Sequence, residues 1–137
     1  MFATKTWVKE LLSKVLKKTV NNYSLEEQRV GTWIDGKPIY QKTIECIMPQ
    51  VTTDGTAVTI SINHNIQNLN IFTNINAIIS TKDYTFTLPW VTVSGNNRNP
   101  NSIHYDKTKN ALMLVNRAKA YNDGIIYATL QYTKTTD

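Results

Sequence analysis

The chain has 137 residues, a formal net charge of +5, two histidines and a single cysteine, Cys46. That length suits one domain with one core, and no internal repeat, low-complexity run or linker divides it. No apolar run approaches the ~18 residues of a membrane span, the first residues carry no secretory pattern, and one cysteine excludes both an intramolecular disulfide and a cysteine-rich zinc site.

Residues 1–22 form the first unit. Trp7, Val8, Leu11, Leu12, Val15 and Leu16 recur at three-to-four spacing, which predicts an amphipathic α-helix from Thr6 to about Val20. Thr4 or Thr6 can cap its start, and Asn21-Asn22 can end it. Lys5, Lys9, Lys14, Lys17 and Lys18 carry much of the positive charge. They read as a solvated face, with an acidic partner or an anionic surface as alternatives. A helix this short is marginal in water by itself, so its apolar stripe has to pack on something. It can lie on the rest of the chain, form a short trimeric stem or dock into a larger assembly; a membrane-surface helix is the less favoured fourth reading. Val8, Leu11 and Val15 fit a coiled-coil seam, but Lys18 falls on the next seam position.

Residues 23–137 form the second unit, opened by a β-hairpin at 28–45. Ser24-x-x-Glu27 has the form of a helix capping box, yet no helical period follows it and alternation begins after Gln28. Asp35-Gly36 between two strand-like runs predicts a two-residue type I′ turn. That turn sets Ile34 opposite Lys37, Trp33 opposite Pro38, Thr32 opposite Ile39, Gly31 opposite Tyr40, and Arg29 opposite Lys42. Trp33 and Pro38 then form a non-hydrogen-bonded pair, so the proline sacrifices no bond to its partner and marks a sheet edge. In this register Val30, Ile34 and Ile39 share one face while Trp33, Tyr40 and Ile44 share the other. A hairpin apolar on both faces needs cover on both, which makes Trp33, Ile34, Ile39 and Tyr40 candidates for a subunit interface.

Further strands follow in order. Val58, Ile60 and Ile62 alternate against Thr59 and Ser61. Leu69, Ile71, Thr73, Ile75, Ala77 and Ile79 are expected on one face of the next strand. Tyr84 to Trp90 alternates, with Pro89 marking an edge or bend. Residues 94–102, around Asn96, Asn97, Arg98 and Asn99, read as a loop. Residues 111–115 read as a buried strand, Tyr121-Asn122-Asp123-Gly124 as a turn, and residues 125–133 as the closing strand. About eight short strands separated by turn signals predict an all-β fold with the N-terminal helix appended, a β-sandwich or barrel.

The stretch Tyr23-Ser24-Leu25-Glu26-Glu27-Gln28-Arg29-Val30-Gly31-Thr32-Trp33-Ile34-Asp35-Gly36-Lys37-Pro38-Ile39-Tyr40-Gln41-Lys42-Thr43-Ile44 resembles a segment that recurs in bacteriophage fibre and host-adhesion proteins, where it commonly opens a C-terminal β-rich domain. Residues 130–137 resemble the last strand of the same proteins. The resemblance implies a virion structural protein, made in the host cytoplasm and carried on the head or tail. It implies an antiparallel, jelly-roll-like β-sandwich assembled as a homotrimer. Its partners would be its own copies, capsid, neck or tail proteins, and a host-surface glycan, with neither nucleic acid nor membrane among them. Trp7, Val8, Leu11, Leu12, Val15 and Leu16 become the particle-attachment candidates, and Asn96, Asn97, Arg98 and Asn99 the host-surface loop candidates. Long fibres usually carry an attachment region and shaft before this motif, whereas 22 residues precede it here. That favours a component mounted on the capsid or neck.

Catalytic chemistry finds little purchase. Asp35, Asp54 and Asp123 each precede glycine, and Asp83 and Asp106 sit in turns, so turn formation accounts for them. No catalytic residue, metal site or cofactor is assigned, and a glycan-cleaving carboxylate pair is not evident. His64 reads as a loop residue bonded to backbone, and Cys46 as a core thiol. The alternative function is a monomeric carbohydrate-binding module, for which Tyr84, Trp90, Tyr105 and Tyr121 could supply stacking faces.

Overall fold

The computed structural model describes residues 8–10, 23–94 and 97–137, with backbone alone for 92–94 and 97–99. Residues 8–10 are helical and Val8 is exposed. The rest of the expected helix, including Trp7, Leu11, Leu12, Val15 and Leu16, lies outside the described residues.

The strands are β1 (Gln28–Thr32), β2 (Pro38–Ile47), β3 (Val58–Ile62), β4 (Leu69–Ser80), β5 (Thr85–Leu88), β6 (Trp90–Ser94), β7 (Asn97–Asp106), β8 (Ala111–Asn116) and β9 (Ile125–Lys134). They make a five-stranded sheet in the order β1-β2-β9-β4-β5 and a four-stranded sheet in the order β3-β8-β7-β6, and the pairings are antiparallel. Period-two alternation builds the core. On the central strand β9, Ile126, Ala128, Leu130 and Tyr132 are buried; across from them on β4 lie Ala77 and Ile79, and Leu112 and Leu114 come from β8. Burying a large apolar side chain contributes about 1.5–3 kcal/mol. Tyr40, Ile44 and Cys46 of β2 pack against this cluster, as expected of alternate residues on one face.

The opening hairpin forms, but in a different register. Trp33 N–H donates to Lys37 O at 2.8 Å and Gly36 N–H to Trp33 O at 3.0 Å, which closes a three-residue loop. Gly36 takes a φ of +86°, Asp35 takes no positive φ, and Asp35 Oδ1 accepts the Lys37 N–H at 3.0 Å. A type I turn with glycine in the left-handed position therefore replaces the type I′ turn. The pairs are Thr32 with Pro38, Gly31 with Ile39, Arg29 with Tyr40 and Gln28 with Gln41, with an irregularity between Arg29 and Gly31. The expected Arg29–Lys42 charge clash does not arise. Pro38 still lies beyond the β2–β9 ladder, which starts at Tyr40, so no third strand seeks its missing donor. The two-faced apolar pattern is also revised: Ile34 stands in the turn at 91% exposure, while Tyr40 and Ile44 face the core.

Two further expectations are corrected. In β4 the register slips between Leu69 and Phe72 and again between Phe72 and Asn74. These bulges send Ile71 outward and turn Phe72 onto the core, breaking the expected single face. Residues 97–102 are not loop but strand: Ser94 pairs with Asn97, Val93 with Arg98, Thr92 with Asn99 and Val91 with Pro100. Cross-strand pairing overrides the weak strand propensity of Asn. Pro100 fits because the β7–β8 ladder begins only at Ser102. Asn96 lies outside the described residues.

The Ser24–Glu27 pair makes no helix. Ser24 Oγ accepts the Glu26 N–H, and Glu27 instead accepts the Tyr132 hydroxyl at 2.5 Å and Lys134 Nζ at 2.6 Å, tying the entry segment to β9.

Candidate functional site

The chain leaves the five-stranded sheet after β5 and enters the four-stranded sheet at β6, through a cis Leu88–Pro89 peptide. Alternation on β5 puts Tyr84, Phe86 and Leu88 on one side, and Trp90 follows the proline. Their rings form a near-parallel series: Tyr84 to Phe86 at 6.4 Å and 26°, Phe86 to Trp90 at 5.1 Å and 11°. Tyr121, at the end of a 3-10 turn (Lys119–Tyr121), meets Phe86 edge-on at 5.1 Å and 76°, and its hydroxyl accepts the Trp90 indole N–H at 3.1 Å. Offset-stacked and edge-to-face pairs such as these hold one another's orientation. The result is a cleft of about 750 Å³ lined chiefly by Tyr84, Phe86, Trp90 and Tyr121, with the carboxylates of Asp83 and Asp123 on its rim.

Two devices position the cleft. The β4–β5 turn closes on itself, with Thr81 N–H donating to Tyr84 O and Tyr84 N–H donating to Thr81 Oγ1. The Lys119–Gly124 side is sewn down by the amides of buried Asn116 and half-buried Asn122. Asn116 donates to Pro49 O at 2.8 Å and to Asn122 Oδ1 at 3.2 Å, and accepts the Ala118 N–H. Asn122 exchanges two 2.8 Å bonds with the backbone of Val51. Gly124 lets this segment lie directly on Ile79, since a Cβ there would meet the Ile79 side chain at 2.7 Å. Much of the asparagine read as loop chemistry is thus spent on internal bonding.

Of the four predicted stacking residues, Tyr84, Trp90 and Tyr121 converge and Tyr105 does not. Tyr105 packs on Phe72 and His64 and donates to Asn110 Oδ1 at 2.7 Å. His64 is 2% exposed; its Nδ1 accepts the Ile66 N–H, which leaves Nε2–H to donate to Asn110 at 3.0 Å. Burial, then the neighbouring Glu45 carboxylate, holds the Cys46 thiol above its ordinary pKa. The interface candidates lie at the other edge of the five-stranded sheet: Trp33 and Ile39 are half-buried, and Tyr40 stacks on Tyr132 at 6.1 Å with Lys134 Nζ 4.8 Å from its ring. Asn97, Arg98 and Asn99 lie on β7.

Phe86 and the two rim aspartates were not singled out from the sequence as binding residues. The Tyr84-Thr85-Phe86 alternation is the signal for Phe86, but nothing local brings Asp83 and Asp123 to one cleft. Among the described residues, no group of three or more His, Cys, Asp or Glu is placed to hold a metal ion, and no helix is long and apolar enough to cross a membrane. Compared with known families, curated proteins and solved structures, the chain matches no family model, no curated protein and no solved structure.

Proposed function

We propose that this chain is a non-enzymatic subunit of a bacteriophage virion, a β-sandwich of jelly-roll-like type that assembles as a homotrimer and displays a glycan-contacting cleft. The resemblance of residues 23–44 supports the virion assignment, and the fold supports the layout. The observation that carries the adhesive reading is the aromatic cleft itself, where the exposed rings of Tyr84 and Trp90 gather with Phe86, while Tyr121, also expected to stack, is buried beneath them. The entry segment joins β1, at one edge of the five-stranded sheet, and the cleft opens beside β5 at the other edge. Four strand spacings, ~19 Å, separate the two strands. An N-terminal attachment element, with Leu11 and Leu12 in its apolar stripe, would leave such a cleft clear of the particle.

The monomeric carbohydrate-binding module is the second reading, and it rests on the same cleft and its exposed Tyr84 and Trp90 rings. Mass in solution at micromolar concentration separates them: a trimer is expected, and a monomer overturns the fibre-type assembly. A glycan array probed with the purified chain is expected to show binding that Trp90→Ala abolishes. Binding unaffected by that change overturns the adhesive role of the cleft.

A further inference from the structure

We infer that the ligand of the aromatic cleft is an amine-bearing saccharide, a pyranose whose ammonium group meets Asp83 and Asp123 while its C–H face lies on the exposed rings. This inference rests on the reading of the cleft as a glycan site and goes further by specifying charge.

The argument is one of complementarity. The chain as a whole is basic, at +5, yet among the described residues no Lys, Arg or His side chain lines the cleft. The charged groups that do line it are two carboxylates, delivered from different turns. Asp83 belongs to the β4–β5 turn and Asp123 to the turn after the 3-10 element, and the Lys82 N–H, donating to Asp123 Oδ2 at 3.4 Å, bridges the two turns. The polar groups around the rings are poor in donors. The Trp90 indole N–H is committed to Tyr121, and the Thr81 hydroxyl donates to Tyr84 O. What remains on offer is carboxylate oxygen, ring π-face and the Tyr84 phenol, which accepts as well as donates. Tyr84 is 69% exposed and Trp90 43% exposed, so both rings are within a ligand's reach.

A ligand that matches this surface brings N–H donors, positive charge and an apolar face at once. An aminated pyranose has all three: its axial C–H groups and its ammonium are both drawn to the negative faces of aromatic rings, and the ammonium also pairs with carboxylate. A neutral or N-acetylated sugar would keep the stacking and lose the charge. A uronic or phosphate-bearing polymer would be repelled by the rim.

The test is calorimetric titration of the full chain with a glucosamine tetramer, its N-acetylated counterpart, a neutral glucose tetramer and tetramethylammonium. The glucosamine tetramer is expected to bind about tenfold or more tightly than either uncharged tetramer, and to weaken in about 0.5 M salt. Asp83→Asn should remove most of that preference, read as the ratio of the charged to the uncharged tetramer affinity. Tyr84→Ala should weaken all saccharides, and the exposure of Tyr84 separates that loss from unfolding. Equal affinity for charged and uncharged tetramers overturns the amine specificity while leaving the glycan reading intact. Tetramethylammonium binding as tightly as the glucosamine tetramer replaces the saccharide with a simple cation and overturns the inference. Absence of binding by every saccharide overturns the inference and the glycan reading together.

Discussion

Gly124→Ala tests how the cleft is held. Gly124 N–H donates to Tyr121 O at 2.9 Å, and a Cβ built at position 124 would lie 2.7 Å from Ile79 Cδ1, 2.8 Å from Ile79 Cγ1 and 3.0 Å from Tyr121 O. Packed carbons sit about 3.5–4 Å apart, so Ile79 or the 121–124 backbone has to move by roughly 0.8 Å or more. Ile79 is completely buried between β5 and β9 and has nowhere to go. Overpacking of this kind costs about 1–3 kcal/mol, or a melting temperature lower by about 3–5 °C per kcal/mol for a chain of this size. Urea denaturation followed by circular dichroism measures the loss. Ile79→Val removes the nearest clashing atom and should cost about 0.5–1.5 kcal/mol by itself. Together the two changes should cost less than the sum of their separate effects, because they share one collision. An alanine variant as stable as the parent, or strictly additive costs, refutes the reasoning.

Three other outcomes follow from the structure. Glu27 is pushed up by partial burial, but the hydrogen bonds from Lys134 and Tyr132 outweigh that and hold its carboxyl below its ordinary pKa. A carboxylate depressed by folding contributes stability above its unfolded pKa and loses it as pH falls through the folded value. Glu27→Ala should therefore cost about 1–3 kcal/mol at pH 7, chiefly by stranding the buried Tyr132 hydroxyl. The gap from the parent should narrow below about pH 4, and a gap in urea midpoint independent of pH removes the charge from the account. Asn116→Leu strips partners from Pro49 O, Asn122 and the Ala118 N–H in a fully buried setting, and should cost about 3 kcal/mol or more in urea denaturation; a cost under about 1 kcal/mol shows those groups to be solvated. Ile34→Asp alters an exposed turn tip and should leave the fold unchanged while, under the proposed trimeric assembly, lowering the mass in solution read by light scattering; a variant of unchanged mass removes the hairpin tip from the proposed interface.

Local chemistry alone determined much of this protein. Alternation marked Val58, Ile60 and Ile62, the inward face of β3, and the apolar run from Ala111 marked β8 as buried. Asp-Gly pairs and asparagines marked the turns, because few other residues satisfy such backbones. Alternation along β2 also turned Tyr40, Ile44 and Cys46 to the core. Tertiary structure decided the rest. The hairpin register differs by one beside the turn and by two beyond the irregularity between Arg29 and Gly31, on a strand pair whose β2 is held against β9. Phe72 displaced Ile71 because bulges in β4 re-aimed the strand against β9. Residues 97–102 became strand because β6 offered a ladder that asparagine propensity opposes. The cleft follows the same logic. Its two aspartates read locally as turn residues and its four aromatics as alternating or terminal ones. They meet only because β5 crosses to β6 beside a 3-10 turn that is 31 positions beyond Trp90 and bonded to it.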